Sequence, residues 1–182
     1  MELATFSVSE LFDIFDADGN PVGTASREEA HKKGLWHRAS NMFVFFPDGQ
    51  LLLQQRHLTK DVCPGAWDVS AAEHLQPGES FERGALRGLQ EELGIQGVVV
   101  EPLGSVVKYQ LDMPEIGVRD YEFQQSFRVE YDGPISPEPR EVRATRKVWL
   151  ADLQLEMQQQ PETFTPWFRQ RLWAFGMFQA NV

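Results

Sequence analysis

The sequence predicts an α/β domain, and three features carry that reading. Residues 42–46 and 51–56 are apolar over several consecutive positions and are joined by the turn residues Pro47, Asp48, Gly49 and Gln50. Continuous apolar runs of this length read as strands covered on both faces, and so as the centre of a sheet. Leu86, Leu89 and Leu93 then recur at three- and four-residue spacing, which marks a helix with one face toward a core. Gly94 follows as its left-handed stop. Residues 161–178 hold Phe164, Trp167, Phe168, Leu172, Trp173, Phe175 and Met177, a C-terminal helix whose broad aromatic face reads as core or as a homodimer contact.

The remaining elements follow in order. Leu11 to Asp16 alternate apolar and acidic residues, as a half-buried strand does. Asp18, Gly19 and Asn20 form a turn and residues 22–25 return, giving an N-terminal hairpin. Ser26 caps a short helix with Glu28 and Glu29 in its first turn, ending at Gly34. A loop over 59–68 and a short strand lead into residues 73–95. Beyond the helix, 98–107 reads as a strand broken at Pro102 to Gly104, and 121–129 as another. An acidic loop spans 131–141, and 146–150 is the last strand. The 182 residues suffice for one domain with a full core, and no boundary asks for a second.

Composition excludes several classes. A formal net charge of −10 disfavours binding to nucleic-acid backbones. It does not disfavour small anionic substrates, because a bound divalent cation reverses the local field. No apolar run is long enough to span a bilayer, and the mildly acidic N-terminus lacks the pattern of a secretory signal. The single Cys63, next to Pro64, excludes an internal disulfide and reads as a packed loop residue. A cytoplasmic protein is the expectation.

Function concentrates in residues 73–95. Glu79, Glu82, Arg83, Arg87, Glu91 and Glu92 fall on the helix side expected to be exposed. The Glu91–Glu92 pair stands at a helix C-terminus that is already partly negative. Arg87 can reach Glu91 one turn on, but a divalent metal would account for both acids. This segment resembles the Nudix box, G-x5-E-x7-R-E-U-x-E-E-x-G-U with U a bulky aliphatic. Glu79, Arg87, Leu89, Glu91, Glu92, Gly94 and Ile95 fill its fixed places. Two places depart: Glu73 stands at the first Gly, and Gly88 stands at the first Glu of R-E-U-x-E-E.

The resemblance implies an α/β/α sandwich with a mixed central sheet, and a hydrolase that directs water at phosphorus in a diphosphate using Mg²⁺ or Mn²⁺. By position, Glu91 and Glu92 would be metal ligands, Arg87 would orient a glutamate by salt bridge, and Glu79 would be a supporting acid. The carbonyl of Glu73 would be a further ligand, and Glu122 the candidate distal acid. Arg56 and Lys60 are candidates for the phosphates of a small-molecule substrate. Since the helix lacks its usual glutamate at Gly88, one reading moves the base to Glu122 or to the side chain of Glu73. The other leaves a slow enzyme or a silent ligand-binding module.

Outside the box, residues 12–153 resemble the branch that includes isopentenyl-diphosphate isomerase. That likeness implies a second metal held by His31, His37 and His74 with Asp120 and Glu122, a donor set suited to a divalent transition metal. Tyr109 and Glu122 match part of that branch's proton-transfer set. Its cysteine, however, falls at Ala72, whose methyl group transfers no proton. Hydrolase is therefore the leading reading, with the silent module and an isomerase-like enzyme as alternatives.

Overall fold

The protein is described by a computed structural model covering residues 10–178. Most of the N-terminal stretch read for a leader lies outside them. Strand β1 (Leu11–Phe15) and strand β2 (Pro21–Ser26) form a separate antiparallel hairpin. Helix α1 (Arg27–Lys33) follows at once. The Ser26 hydroxyl accepts from the amide of Glu29, and Gly34 closes the helix at φ 66°, the left-handed conformation that glycine adopts without a Cβ penalty.

Strand β3 (His37–Phe45) is the spine of the main sheet. Met42, Val44 and Phe46 pack in one core layer and Phe43 and Phe45 in another, and all are buried. Helices cover both faces, which is why the run is continuously apolar. Strand β4 (Leu51–Arg56) behaves the same way, with Leu52 on one side and Leu51 and Leu53 on the other. Strand β5 (Trp67–Asp68) and strand β6 (Ala71–His74) are short. Helix α2 (Phe81–Leu93) is capped by Ser80 and stopped by Gly94 at φ 69°. Strands β7 (Glu101–Met113), β8 (Val118–Glu130) and β9 (Val142–Val148) complete the sheet. Helix α3 (Leu150–Gln159) and helix α4 (Pro166–Ala174) close the far face.

The order is β5-β4-β3-β8-β7, with β6 on β3 and β9 on β4. Among the described strand pairs only β3 and β8 run parallel. This is the α/β/α sandwich with a mixed sheet that the sequence predicts. Strands β3 and β4 pair only at Phe45 and Leu51. Beyond that point β6 takes the free edge of β3, and a cavity opens that Asn41 of β3 and Arg56 of β4 both line.

Several expectations need correction. Leu86 is 39% exposed; the buried stripe of α2 is Ala85, Leu89 and Leu93, flanked by Gly84 and Gly88. Glu92, expected on the open side, is buried. The interruption near Gly104 is a register shift within one long strand, between Leu103 and Val107. The sequence reading omits α3, because only Leu153 and Met157 anchor it. The C-terminal helix is shorter than 161–178. Pro161 starts a single 3₁₀ turn, and Pro166 starts α4, a position where its missing N–H is harmless.

Candidate metal-dependent active site

Residues from six elements converge around this cavity. Parallel pairing puts His37 of β3 beside Glu122 of β8. Antiparallel pairing puts Ala72, Glu73 and His74 of β6 opposite Asn41, Ser40 and Ala39 of β3. Tyr109 of β7 lies opposite Glu122. His31 arrives from the last turn of α1, and Glu91 and Glu92 from the last turn of α2. The cavity, about 720 Å³, is lined by Glu73, His74, Glu91, Glu92, Asp120 and Glu122 among others.

Arg87 fastens the loop between β6 and α2. Its Nε and one terminal nitrogen donate to Glu79 at 3.1 and 2.9 Å, and that same nitrogen reaches the His74 carbonyl at 2.7 Å. The other terminal nitrogen meets Glu91 at 3.1 Å and Glu73 at 3.2 Å. Glu79 also accepts from the amide of Gln76 at 2.9 Å. Glu79 is thus the anchor of Arg87 and does not line the cavity.

Glu92 is held on both oxygens, by Gln54 Nε2 at 2.9 Å and the amide of Ala72 at 3.1 Å. Burial, and then Glu73, push its carboxyl up to about 8. Burial, opposed by Arg87, pushes Glu73 up to about 7. Two acids with raised pKa values in one pocket form a site where a cation is favourable. Hard carboxylate oxygens suit Mg²⁺ or Mn²⁺.

The histidines form a second nest. His31, His37, His74 and Asp120 each offer an atom within 4.8 Å of the others. His37 Nδ1 lies 2.9 Å from the Leu35 carbonyl, so the ring proton belongs there and Nε2 presents a lone pair. That Nε2, His31 Nε2 and Asp120 Oδ1 are buried without a hydrogen-bond partner among the described residues. Burial, chiefly, pushes His31 down to about 3 and His74 down to about 3, keeping both rings neutral. Burial also works against charge on His37, but Asp120 and Glu122 raise it on balance. His74 is partly committed, accepting from Arg27 at Nδ1 (3.2 Å) and facing Glu122 with Nε2 (3.1 Å). It can join a metal only by giving up one of these contacts. Orphaned imidazole and carboxylate atoms converging on one point fit a divalent transition metal.

The NUDIX domain family model matches residues 35–168. The chain belongs to the NUDIX family. The isopentenyl-diphosphate Delta-isomerase of Serratia proteamaculans is 34% identical over 161 residues, covering 88% of each chain. That of Cereibacter sphaeroides is 39% identical over 143 residues, covering 78% of this chain and 79% of its own. Among solved structures, DR0079 of Deinococcus radiodurans matches with a TM-score of 0.66 at 20% identity, over 82% of this chain and 90% of its own. The MutT protein of Methanosarcina mazei matches at 0.63 and 22%, over 78% and 94%. These two likenesses concern the fold.

The other residues of this NUDIX site are distributed unevenly. Lys60 lines the cavity but is bonded to Glu141. Arg56 lines it too, while donating to the Val62 carbonyl at 3.0 Å and to buried Asp68 at 3.3 Å. Asp68 also accepts from Thr165 and Trp167, both at 2.8 Å, which ties α4 to the sheet. Sequence reasoning missed this junction. It also missed Arg171 of α4, which donates to Gln124, whose amide in turn donates to Glu122. Arg27, Glu138 and Trp167 also line the cavity. Trp167 carried a signal, as part of the aromatic C-terminal face; Arg171 and Gln124 carried none.

Proposed function

We propose that this NUDIX protein is a divalent-metal-dependent hydrolase of a nucleoside diphosphate derivative or related organic diphosphate. The observation that carries the reading is that Glu73, Glu91 and Glu92 share one cavity with Arg27, Arg56, Lys60 and Arg87. A Mg²⁺ or Mn²⁺ ion on those carboxylates would neutralise diphosphate charge and acidify bound water. The basic side chains would steer the anionic substrate, with Arg56 and Lys60 at the phosphates. Arg87 keeps Glu73 and Glu91 on the same wall, and Gln54 and the Ala72 amide hold Glu92 in one orientation. Glu122, fixed through Gln124, is the distal acid available to a second metal or to a proton.

The test is release of phosphate or nucleotide from a panel of nucleotide, sugar-nucleotide and isoprenoid diphosphates, with Mg²⁺ and Mn²⁺. Turnover that disappears in Glu92→Gln supports the hydrolase. Ligand-dependent thermal stabilisation with no product from any compound would point to a silent binding module instead.

A second reading is favoured by the relatives named isopentenyl-diphosphate isomerase and by Tyr109 lying opposite Glu122. Allylic isomerisation needs a proton donor and a proton acceptor on opposite faces of the double bond. Ala72 lines the cavity with a methyl group, so one face lacks its group. Deuterium entering isopentenyl diphosphate from heavy water would establish isomerase chemistry; none entering would dismiss it.

A further inference from the structure

Gly88 of α2 sits directly against Glu73 of β6. A Cβ built on Gly88 would stand 2.6 Å from Glu73 Cβ and 3.2 Å from its Cγ, with Met42 Cε at 3.0 Å. The first distance is far inside van der Waals contact, so positions 73 and 88 compete for one volume. A side chain can stand at one of them or at the other. The lack of a side chain at 88 is therefore a packing requirement of the glutamate at 73. It explains a glycine inside a helix that costs about 0.5–1 kcal/mol relative to alanine.

The two positions also address the same wall. Residue 88 is three and four residues before Glu91 and Glu92, so a side chain there would lie on their side of the helix. Glu73 reaches that side from the strand. It lines the cavity with both acids, and Arg87 Nη1 bridges it to Glu91 at 3.2 and 3.1 Å. We propose that Glu73 and Gly88 are an exchanged pair: the strand supplies, through the Glu73 side chain, the metal-binding carboxylate that a helical glutamate at position 88 would otherwise supply. The departure at Gly88 then relocates a ligand and leaves the site complete. This rests on the metal-dependent reading above, and of the two candidates for the missing glutamate, Glu122 and the Glu73 side chain, it selects Glu73.

The test measures Mg²⁺ binding by titration calorimetry, independently of turnover. Mg²⁺ is chosen because it takes oxygen ligands and leaves the histidine nest aside. The near-isosteric Glu73→Gln is expected to weaken Mg²⁺ at least about tenfold, since even outer-shell changes around a metal cost that much. Gly88→Glu alone is expected to lower the Tm, because both side chains now claim one space. The exchanged variant Glu73→Gly with Gly88→Glu is expected to recover both Tm and Mg²⁺ affinity. Unchanged affinity in Glu73→Gln overturns the proposal, and so does an exchanged variant that recovers its Tm but binds Mg²⁺ no better than Glu73→Gln. If Mg²⁺ binding follows Glu73 as described while no diphosphate is cleaved, the proposed hydrolase function fails and the exchanged ligand stands.

Discussion

His37 Nε2 faces Asp120 Oδ1 at 3.4 Å, and neither atom has a hydrogen-bond partner among the described residues. The Leu35 carbonyl holds the ring proton on Nδ1, so two acceptors confront each other where His37 has no exposure to solvent. Only positive charge between them makes the arrangement favourable, whether a second ring proton or a metal ion. His31 Nε2 lies 3.6 Å from the same oxygen, which directs three donor atoms at one point.

A transition metal should therefore stabilise the folded chain. At a hundredfold excess over its Kd, Zn²⁺ added to protein already saturated with Mg²⁺ is expected to contribute about 2.7 kcal/mol, a rise in Tm of about 5–10 °C for a chain of this size. Chelation should reverse the rise, and His37→Gln or Asp120→Asn should abolish most of it. A full metal-dependent shift retained in Asp120→Asn would remove the nest as a metal site.

The buried acids make a separate prediction about pH. Burial first, with Glu73 second, raises Glu92 to about 8, whereas an unfolded glutamate titrates near 4.3. A raised folded pKa means that the folded chain keeps a proton which the unfolded chain releases. The stability this contributes is complete below the unfolded pKa and is lost as pH rises through the folded one. Glu73, raised to about 7, and His37, also raised, act in the same direction. His31 and His74, pushed down to about 3, oppose it, but only below the unfolded histidine pKa of about 6.5. Between about pH 6.5 and 8 the Tm of the metal-free protein should fall. Glu92→Gln should flatten part of that fall, and saturating Mg²⁺ should flatten it further. A metal-free Tm that climbs over this window would contradict the assignment.

How much of this was legible in the sequence depends on whether a signal is local. The central strands announce themselves because Met42 to Phe46 are buried on both faces, and α2 announces its ends through Ser80 and Gly94. Its rotation about its own axis does not. Leucine spacing alone admits Leu86, whereas packing on β3 and β6 selects Ala85, Leu89 and Leu93 and turns Glu92 inward. Long-range partners were equally hidden: Arg171 bonds Gln124 across 47 residues of chain and through it reaches Glu122. The chemistry of Glu73 was half visible, as a departure from a pattern, but its contact with Gly88 needed the fold. The corrected stripe can be checked by chemical denaturation. Leu89→Ala is expected to cost about 2–5 kcal/mol, whereas Leu86→Ala should stay within about 0.5 kcal/mol. Equal losses would restore the simpler spacing argument.

Arg87 offers the sharpest test of how the box loop is held. One terminal nitrogen serves Glu79 and the His74 carbonyl, while the other serves Glu73 and Glu91. A planar fork can meet these groups together, but an ammonium is a single point charge on a flexible stem. Arg87→Lys keeps the charge and should still lose most of the function of the fork. The expected cost is about 1.5–3 kcal/mol of stability, the range for hydrogen bonds to charged groups. Mg²⁺ affinity should fall by about tenfold or more, as when an outer-shell partner of a metal ligand is lost. Arg83 is exposed on the same helix, so Arg83→Lys controls for the substitution itself. If Arg87→Lys matched that control in both Tm and Mg²⁺ binding, charge alone would suffice. The carboxylates would then be positioned by Gln54, the Ala72 amide and the backbone of β6 without help from Arg87.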